Sequence, residues 1–243
     1  MNLSTKIFAD TADLAGMRAL ADHPRVAGFT TNPTLMRKAG VTDYRAFAKE
    51  ALAIAGGRPI SFEIVGDDAV EISRQAREIA GWGDAAYVKI PITTTRGYSN
   101  CALVRDLSSE GVKVNVTAVF TYDQVRGVID ALHYYPVPHG AQRTPAVISV
   151  FAGRIYDAGM DAAVFMQGYR SILDRCGSHA QLLWASPRQV YDVVLAERAG
   201  ADIITMPPEL IAKLPMLGKD LAEFSRETVQ MFFNDAQAAG YRL

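Results

Sequence analysis

Short apolar runs alternate along the chain with longer stretches whose apolar positions recur at helical spacing. The runs are Lys6–Ala9, Val26–Phe29, Ile60–Val65, Ala86–Pro91, Val112–Ala118, Ala146–Phe151, Gln181–Trp184 and Asp202–Thr205. Each has the length of a strand, and the stretches between them read as amphipathic helices. In Val70–Ala80, for example, Ile72, Ala76, Ile79 and Ala80 fall on one face. Turn and cap signals punctuate the series at Asp10–Asp13, Asn32-Pro33, Gly66–Asp68, Gly153, Ser186-Pro187 and Pro207-Pro208.

Eight strand-then-helix units in a row predict a parallel sheet with helices outside, and eight is the number that closes a (β/α)8 barrel. An open, doubly wound sheet is the alternative. It more often carries a Gly-rich phosphate loop after its first strand, and here that position reads Asp10-Thr11-Ala12-Asp13. The expected architecture is therefore α/β: a single TIM barrel over residues 1–243, with 217–243 as a C-terminal helical extension. Within that extension Leu217–Ala239 reads as one helix, whose Leu221, Phe224, Val229, Phe232 and Phe233 would cap the barrel or reach a neighbouring subunit. Tyr134–Pro145, rich in turn residues, is expected as a loop before the sixth strand.

Composition narrows the setting. The 243 residues carry a net charge of -1, which gives no reason to expect nucleic acid or an acidic membrane as partner. Two cysteines, Cys101 and Cys176, offer neither a disulfide framework nor metal spacing, so a reducing cytoplasm is the expected location. His23, His133, His139 and His179 form no metal or triad pattern, and neither metal nor cofactor is expected.

Lys89 stands out because it lies inside the apolar run Ala85–Thr93. Burial disfavours the charged form of an amine, and an uncharged lysine is a nucleophile able to form a Schiff base with a carbonyl. Its own run supplies no carboxylate, so any partner comes from another strand. Polar residues near strand C-termini are the candidates, since that end of a barrel carries its chemistry. Asp10 ends the first strand, and Thr31 and Asn32 follow the second. Glu63 lies in the third, two residues from Ser61 and on the same face. Asn115 and Thr117 share one face of the fifth, Ser149 and Arg154 flank the end of the sixth, and Ser186 and Arg188 follow the seventh. Arg154 and Arg188 suit a phosphate, whose geometry a guanidinium matches bidentately. Asp10 or Thr31 alone reads equally well as a cap, and either arginine alone as half of a surface ion pair. Arg37 and Lys38 are expected to be solvated helix residues.

Taken in order, "FADTAD" with Asp10, "TTNPT" with Asn32, "FEI" with Glu63, "VKIP" with Lys89, "NVT" at Asn115–Thr117, "SVFAGRI" with Ser149, Phe151 and Arg154, and "ASPR" with Ser186 and Arg188 resemble the transaldolase family over residues 6–206. The resemblance implies a cytoplasmic, homo-oligomeric enzyme of carbohydrate metabolism, acting on sugar phosphates through a metal-free Schiff base. Lys89 would hold a dihydroxyacetone unit, and Glu63 would move protons through a water held by Thr117. Asp10 would take the C4 hydroxyl proton, while Asn32, Asn115 and Ser149 would bond the sugar hydroxyls. Ser186, Arg154 and Arg188 would hold the phosphate. Related fructose-6-phosphate aldolases typically carry Gln where Glu63 stands and Tyr where Phe151 stands. The segment Thr93–Asn100 ("TTTRGYSN") and the missing aromatic between Ser186 and Arg188 are departures that bear on the choice of sugar.

Overall fold

In the computed structural model, which describes residues 3–135 and 142–242, eight parallel strands close into a barrel in sequence order. They are β1 (Lys6–Asp10), β2 (Val26–Thr30), β3 (Ile60–Glu63), β4 (Ala86–Pro91), β5 (Val114–Val119), β6 (Ala146–Val150), β7 (Gln181–Trp184) and β8 (Ile203–Met206). The helices are α1 (Leu14–Ala21), α2 (Pro33–Lys38), α3 (Tyr44–Ala55), α4 (Ala69–Ala80), α5 (Cys101–Ser109), α6 (Tyr122–His133), α7 (Ala152–Asp157), α8 (Ala162–Arg175), α9 (Asp192–Arg198), α10 (Pro208–Ile211) and α11 (Leu221–Ala238). This is the (β/α)8 barrel that the strand-helix series predicts. His139 and the centre of the expected loop before β6 lie outside the described residues.

Helix starts follow local chemistry. Asp13, Asn32, Asp43, Asp68, Thr121, Asp161 and Asp220 each accept a backbone N–H of the helix they precede. At α6 the cap is reciprocal, with Gln124 reaching back to the Thr121 backbone.

Two apolar layers result. The larger lies between the sheet and the helices and includes Phe29, Phe47, Phe62, Ile72, Ile79, Ile129, Tyr169 and Trp184. The smaller fills the barrel itself with Phe8, Val147, Leu183, Ala185 and Ile203. Gly28 makes room for this inner layer, because a Cβ there would sit 2.8 Å from the Phe8 ring.

Strand alternation then divides the interior by height. Phe8, Ser61, Tyr87, Val147, Leu183 and Ile203 come first along their strands. Two residues further on, the same faces carry Asp10, Glu63, Lys89, Ser149, Ala185 and Thr205. The interior is thus mostly apolar below and polar at the C-terminal end.

Strand limits differ from the sequence expectation by one or two residues. β3 stops at Glu63: Ile64 still donates its backbone N–H to Lys89 O, but Val65 turns out to the surface. β5 begins later and runs through Val119 across a bulge, where Ala118 adopts φ 56°. The C-terminal helix begins at Leu221 rather than Leu217, because Gly218 turns the chain at φ 82° and Asp220 caps the new start. No helix among the described residues is long and apolar enough to cross a membrane.

Candidate active site

A cavity of about 630 Å³ opens at the C-terminal mouth of the barrel. Of the twelve residues expected at a site, eleven line it: Asp10, Asn32, Glu63, Lys89, Asn115, Thr117, Ser149, Phe151, Arg154, Ser186 and Arg188. The exception is Thr31. Its side chain turns away to donate to the Ser61 carbonyl, and it serves the site through its own backbone oxygen.

Register explains why these side chains meet. Glu63 pairs with Lys89 across β3 and β4, and Lys89 pairs with Asn115 across β4 and β5, so the three form one row around the wall. Lys89 is buried, and its Nζ lies 3.0 Å from Glu63 Oε2 while donating to Thr31 O at 2.9 Å. The partner missing from its own run is thus supplied by the neighbouring strand. A carboxylate at this range offsets much of the desolvation that the apolar run alone would impose.

Asp10 ends β1 on the far side of β2. Thr30 Oγ1 donates to its Oδ1 at 2.7 Å. Burial raises the pKa of this carboxyl, and the Lys89 charge and the Thr30 hydrogen bond oppose that rise.

On the other flank, Ser149 Oγ donates to Asn115 Oδ1 at 2.6 Å, and Asn115 Nδ2 donates to Ser61 Oγ at 3.0 Å. This chain fixes the amide's orientation, so Asn115 keeps one N–H and Ser149 its lone pairs for a molecule in the cavity. Thr117 lines the same cavity, and its buried Oγ1 has no hydrogen-bond partner among the described residues. Asn32 spends its Oδ1 on capping α2, at 2.9 Å from Leu35 N, which leaves its Nδ2 as a donor.

The arginines stand at the rim. The Arg154 guanidinium lies over the Phe151 ring, 5.2 Å from its centroid, and Phe151 packs on Phe120. Arg188 pairs with Asp157, with Nε 3.2 Å from Oδ1, and this contact holds the Asp157 carboxyl below the usual range. The loop between β7 and α9 is held tightly. Ser186 adopts φ 61°, and its carbonyl lies so near Gly153 that a Cβ there would sit 1.6 Å from the oxygen.

Several lining residues escape the sequence reading. Thr30 is the inward residue of β2, a place that strict alternation from Gly28 assigns to it rather than to Thr31. Lys38 is solvated as expected, yet it also lines the cavity from the end of α2. Thr205 enters from β8. Asp157 and Asp192 stand outside the lining: Asp157 pairs with Arg188, 31 residues on, and Asp192, at a helix start, reads from sequence only as a cap.

A barrel whose mouth joins a buried lysine–carboxylate pair to two rim arginines defines an enzyme-type site on a (β/α)8 scaffold. The sequence profile of the Transaldolase/Fructose-6-phosphate aldolase family matches residues 7–243. A probable transaldolase of Dehalococcoides mccartyi is 32% identical over 222 residues, covering 90% of this chain and 95% of that one. The probable transaldolase 2 of Listeria monocytogenes is also 32% identical, covering 91% and 95%. A probable transaldolase of Streptococcus equi subsp. zooepidemicus reaches 36% over 209 residues, covering 86% and 89%. The chain belongs to the transaldolase/fructose-6-phosphate aldolase family. Among solved structures, KGPDC from Streptococcus mutans is similar at a TM-score of 0.52 over 83% of this chain and 86% of that one; at 13% identity this likeness is one of fold.

Proposed function

We propose that the protein transfers a dihydroxyacetone unit between phosphorylated sugars through a Schiff base on Lys89. The observation that carries this reading is the Lys89–Glu63 contact of 3.0 Å inside a cavity that also holds Asp10 and two rim arginines. Glu63 takes a proton from the Lys89 ammonium, and the free amine attacks the C2 carbonyl of a ketose phosphate. Loss of water from the carbinolamine, with Glu63 and Thr117 handling its protons, leaves an iminium. Asp10 then takes the C4 hydroxyl proton, the C3–C4 bond breaks, and its electrons pass into the iminium to form an enamine. The aldose phosphate departs. Asn32, Asn115 and Ser149 hold the three-carbon unit by its hydroxyls until an acceptor aldehyde arrives and the steps reverse. Arg154, Arg188 and Ser186 hold the phosphate of donor and acceptor alike.

The second reading is an aldolase that releases free dihydroxyacetone. Phe151 favours transfer, because a ring without a hydroxyl offers no polar group beside the enamine to help protonate it. Borohydride added with fructose 6-phosphate is expected to leave a covalent adduct on Lys89, read by peptide mass spectrometry. An adduct elsewhere, or none, would sink the mechanism. Product that requires erythrose 4-phosphate marks transfer, and dihydroxyacetone formed without it marks the aldolase.

The same reading puts the enzyme in the cytoplasm, in keeping with two free cysteines, Cys101 and Cys176. It also makes the enzyme a homo-oligomer, which the apolar surface of α11 supports.

A further inference from the structure

Asp192 is a buried carboxylate that none of these steps uses. It is fully inaccessible at the start of α9, beneath the loop that carries Ser186 and Arg188. Its Oδ2 accepts the backbone N–H of Arg188 at 2.6 Å and that of Gln189 at 3.3 Å. Its Oδ1 has no hydrogen-bond partner among the described residues. Burying a carboxylate with one oxygen unsatisfied costs stability, so the residue is a poor choice for holding the fold alone. Costs of this kind concentrate where a particular geometry is needed.

The geometry here is that of the loop. Ser186 sits at φ 61°, a conformation unfavourable for a serine by about 1 kcal/mol or more. From one side the loop is fixed by the close approach of the Ser186 carbonyl to Gly153. From the other side Asp192 is, among the described residues, the one side chain that anchors the main chain of Arg188 and Gln189. Asp157 then steadies the Arg188 guanidinium at the rim.

We propose that Asp192 is a positioning residue for phosphate recognition: it sets the main chain of the Ser186–Gln189 loop so that Ser186 and Arg188 face the cavity together. The proposal rests on the sugar-phosphate reading given above. Asp192 touches no substrate and takes no part in bond-making at Lys89. Its removal therefore weakens capture of a phosphorylated donor while leaving Schiff-base formation with the unphosphorylated sugar intact.

The test follows borohydride trapping on Lys89 across concentrations of fructose 6-phosphate and of fructose. In Asp192→Ala, half-saturation by fructose 6-phosphate is expected to rise about tenfold, the size of one lost charge-assisted hydrogen bond. Half-saturation by fructose should stay within about twofold of the wild type, inside the scatter of a neutral change. Asp192→Asn, which keeps an acceptor oxygen, should recover most of the loss. If the alanine variant does not fold, Asp192→Glu keeps the charge but shifts the oxygens, and the same selective rise is expected. Equal losses for both sugars, with a lowered Tm, would make Asp192 merely structural and overturn the proposal. So would a wild-type preference for fructose 6-phosphate that survives unchanged in the variants. A wild type that saturates alike with both sugars removes the phosphate reading, and the proposal with it.

Discussion

Burial lifts the Asp10 carboxyl above its ordinary range, while the Lys89 charge and the Thr30 hydroxyl restrain the rise. As the proposed base, Asp10 works only when ionised, so the acidic limb of kcat/KM should follow its raised pKa. Thr30→Val removes the hydrogen bond that favours the anion, and the acidic limb is expected to move to higher pH, as a pH–rate profile would show. A limb that stays in place would mean another group controls it. Stability has a definite sign too. A carboxyl whose folded pKa is raised contributes most below its unfolded pKa, and that contribution is lost as pH rises through the folded value. Asp10→Asn should therefore raise Tm at neutral pH although it abolishes transfer. Most of this chemistry is legible in the sequence, because a lysine in an apolar run and acids at strand ends break the pattern that their elements demand. Thr30 and Thr31 are both threonines at a strand end, and only the parity of β2 tells the inward one from its neighbour. Asp192 is invisible there, because an aspartate at a helix start reads as a cap until the loop folds back onto it.

Among the elements, strand order and helix identity follow from periodicity and caps, whereas strand ends depend on closure of the barrel. Hydrophobicity assigns Val65 to β3, yet the ladder ends at Glu63 and leaves Val65 at the surface. The bulge in β5 carries no sequence signature of its own, and it shifts the pairing with β6 between Val116 and Val119. The contact between α7 and the β7–α9 loop is a further case. Gly153 reads as a turn signal, but its place is set by a backbone that passes too close for any side chain. Gly153→Ala forces the Ser186 carbonyl aside. We expect a lower Tm together with a KM for fructose 6-phosphate raised by about tenfold or more, since both anchors of the loop converge on that carbonyl and its neighbours. Steady-state kinetics beside a thermal melt would decide it. An alanine variant with unchanged KM would show that the loop's conformation does not depend on Gly153.

At the scale of the whole molecule, the barrel covers its own apolar faces and α11 does not share in that cover. No residue of α11 is buried, and Leu221, Phe224, Val229, Met231, Phe232 and Phe233 are all exposed. Leu221, Phe224, Met231 and Phe232 recur on one helical face, making a stripe of the kind that packs against another surface. An 18-residue helix without a buried residue is marginal in water, and a contiguous apolar patch of this sort usually marks an interface. A second copy of the chain is the partner always present in matching amount, and closed symmetry would let each copy cover the other's stripe. Light scattering on the full chain should therefore give a multiple of 26.4 kDa. Phe224→Lys with Phe232→Lys is expected to shift that mass to the monomer. Because those side chains lie outside both apolar layers, the far-ultraviolet circular dichroism should change little, and Schiff-base trapping on Lys89 should persist. A wild-type chain that runs as a monomer at micromolar concentration would leave α11 for a different partner.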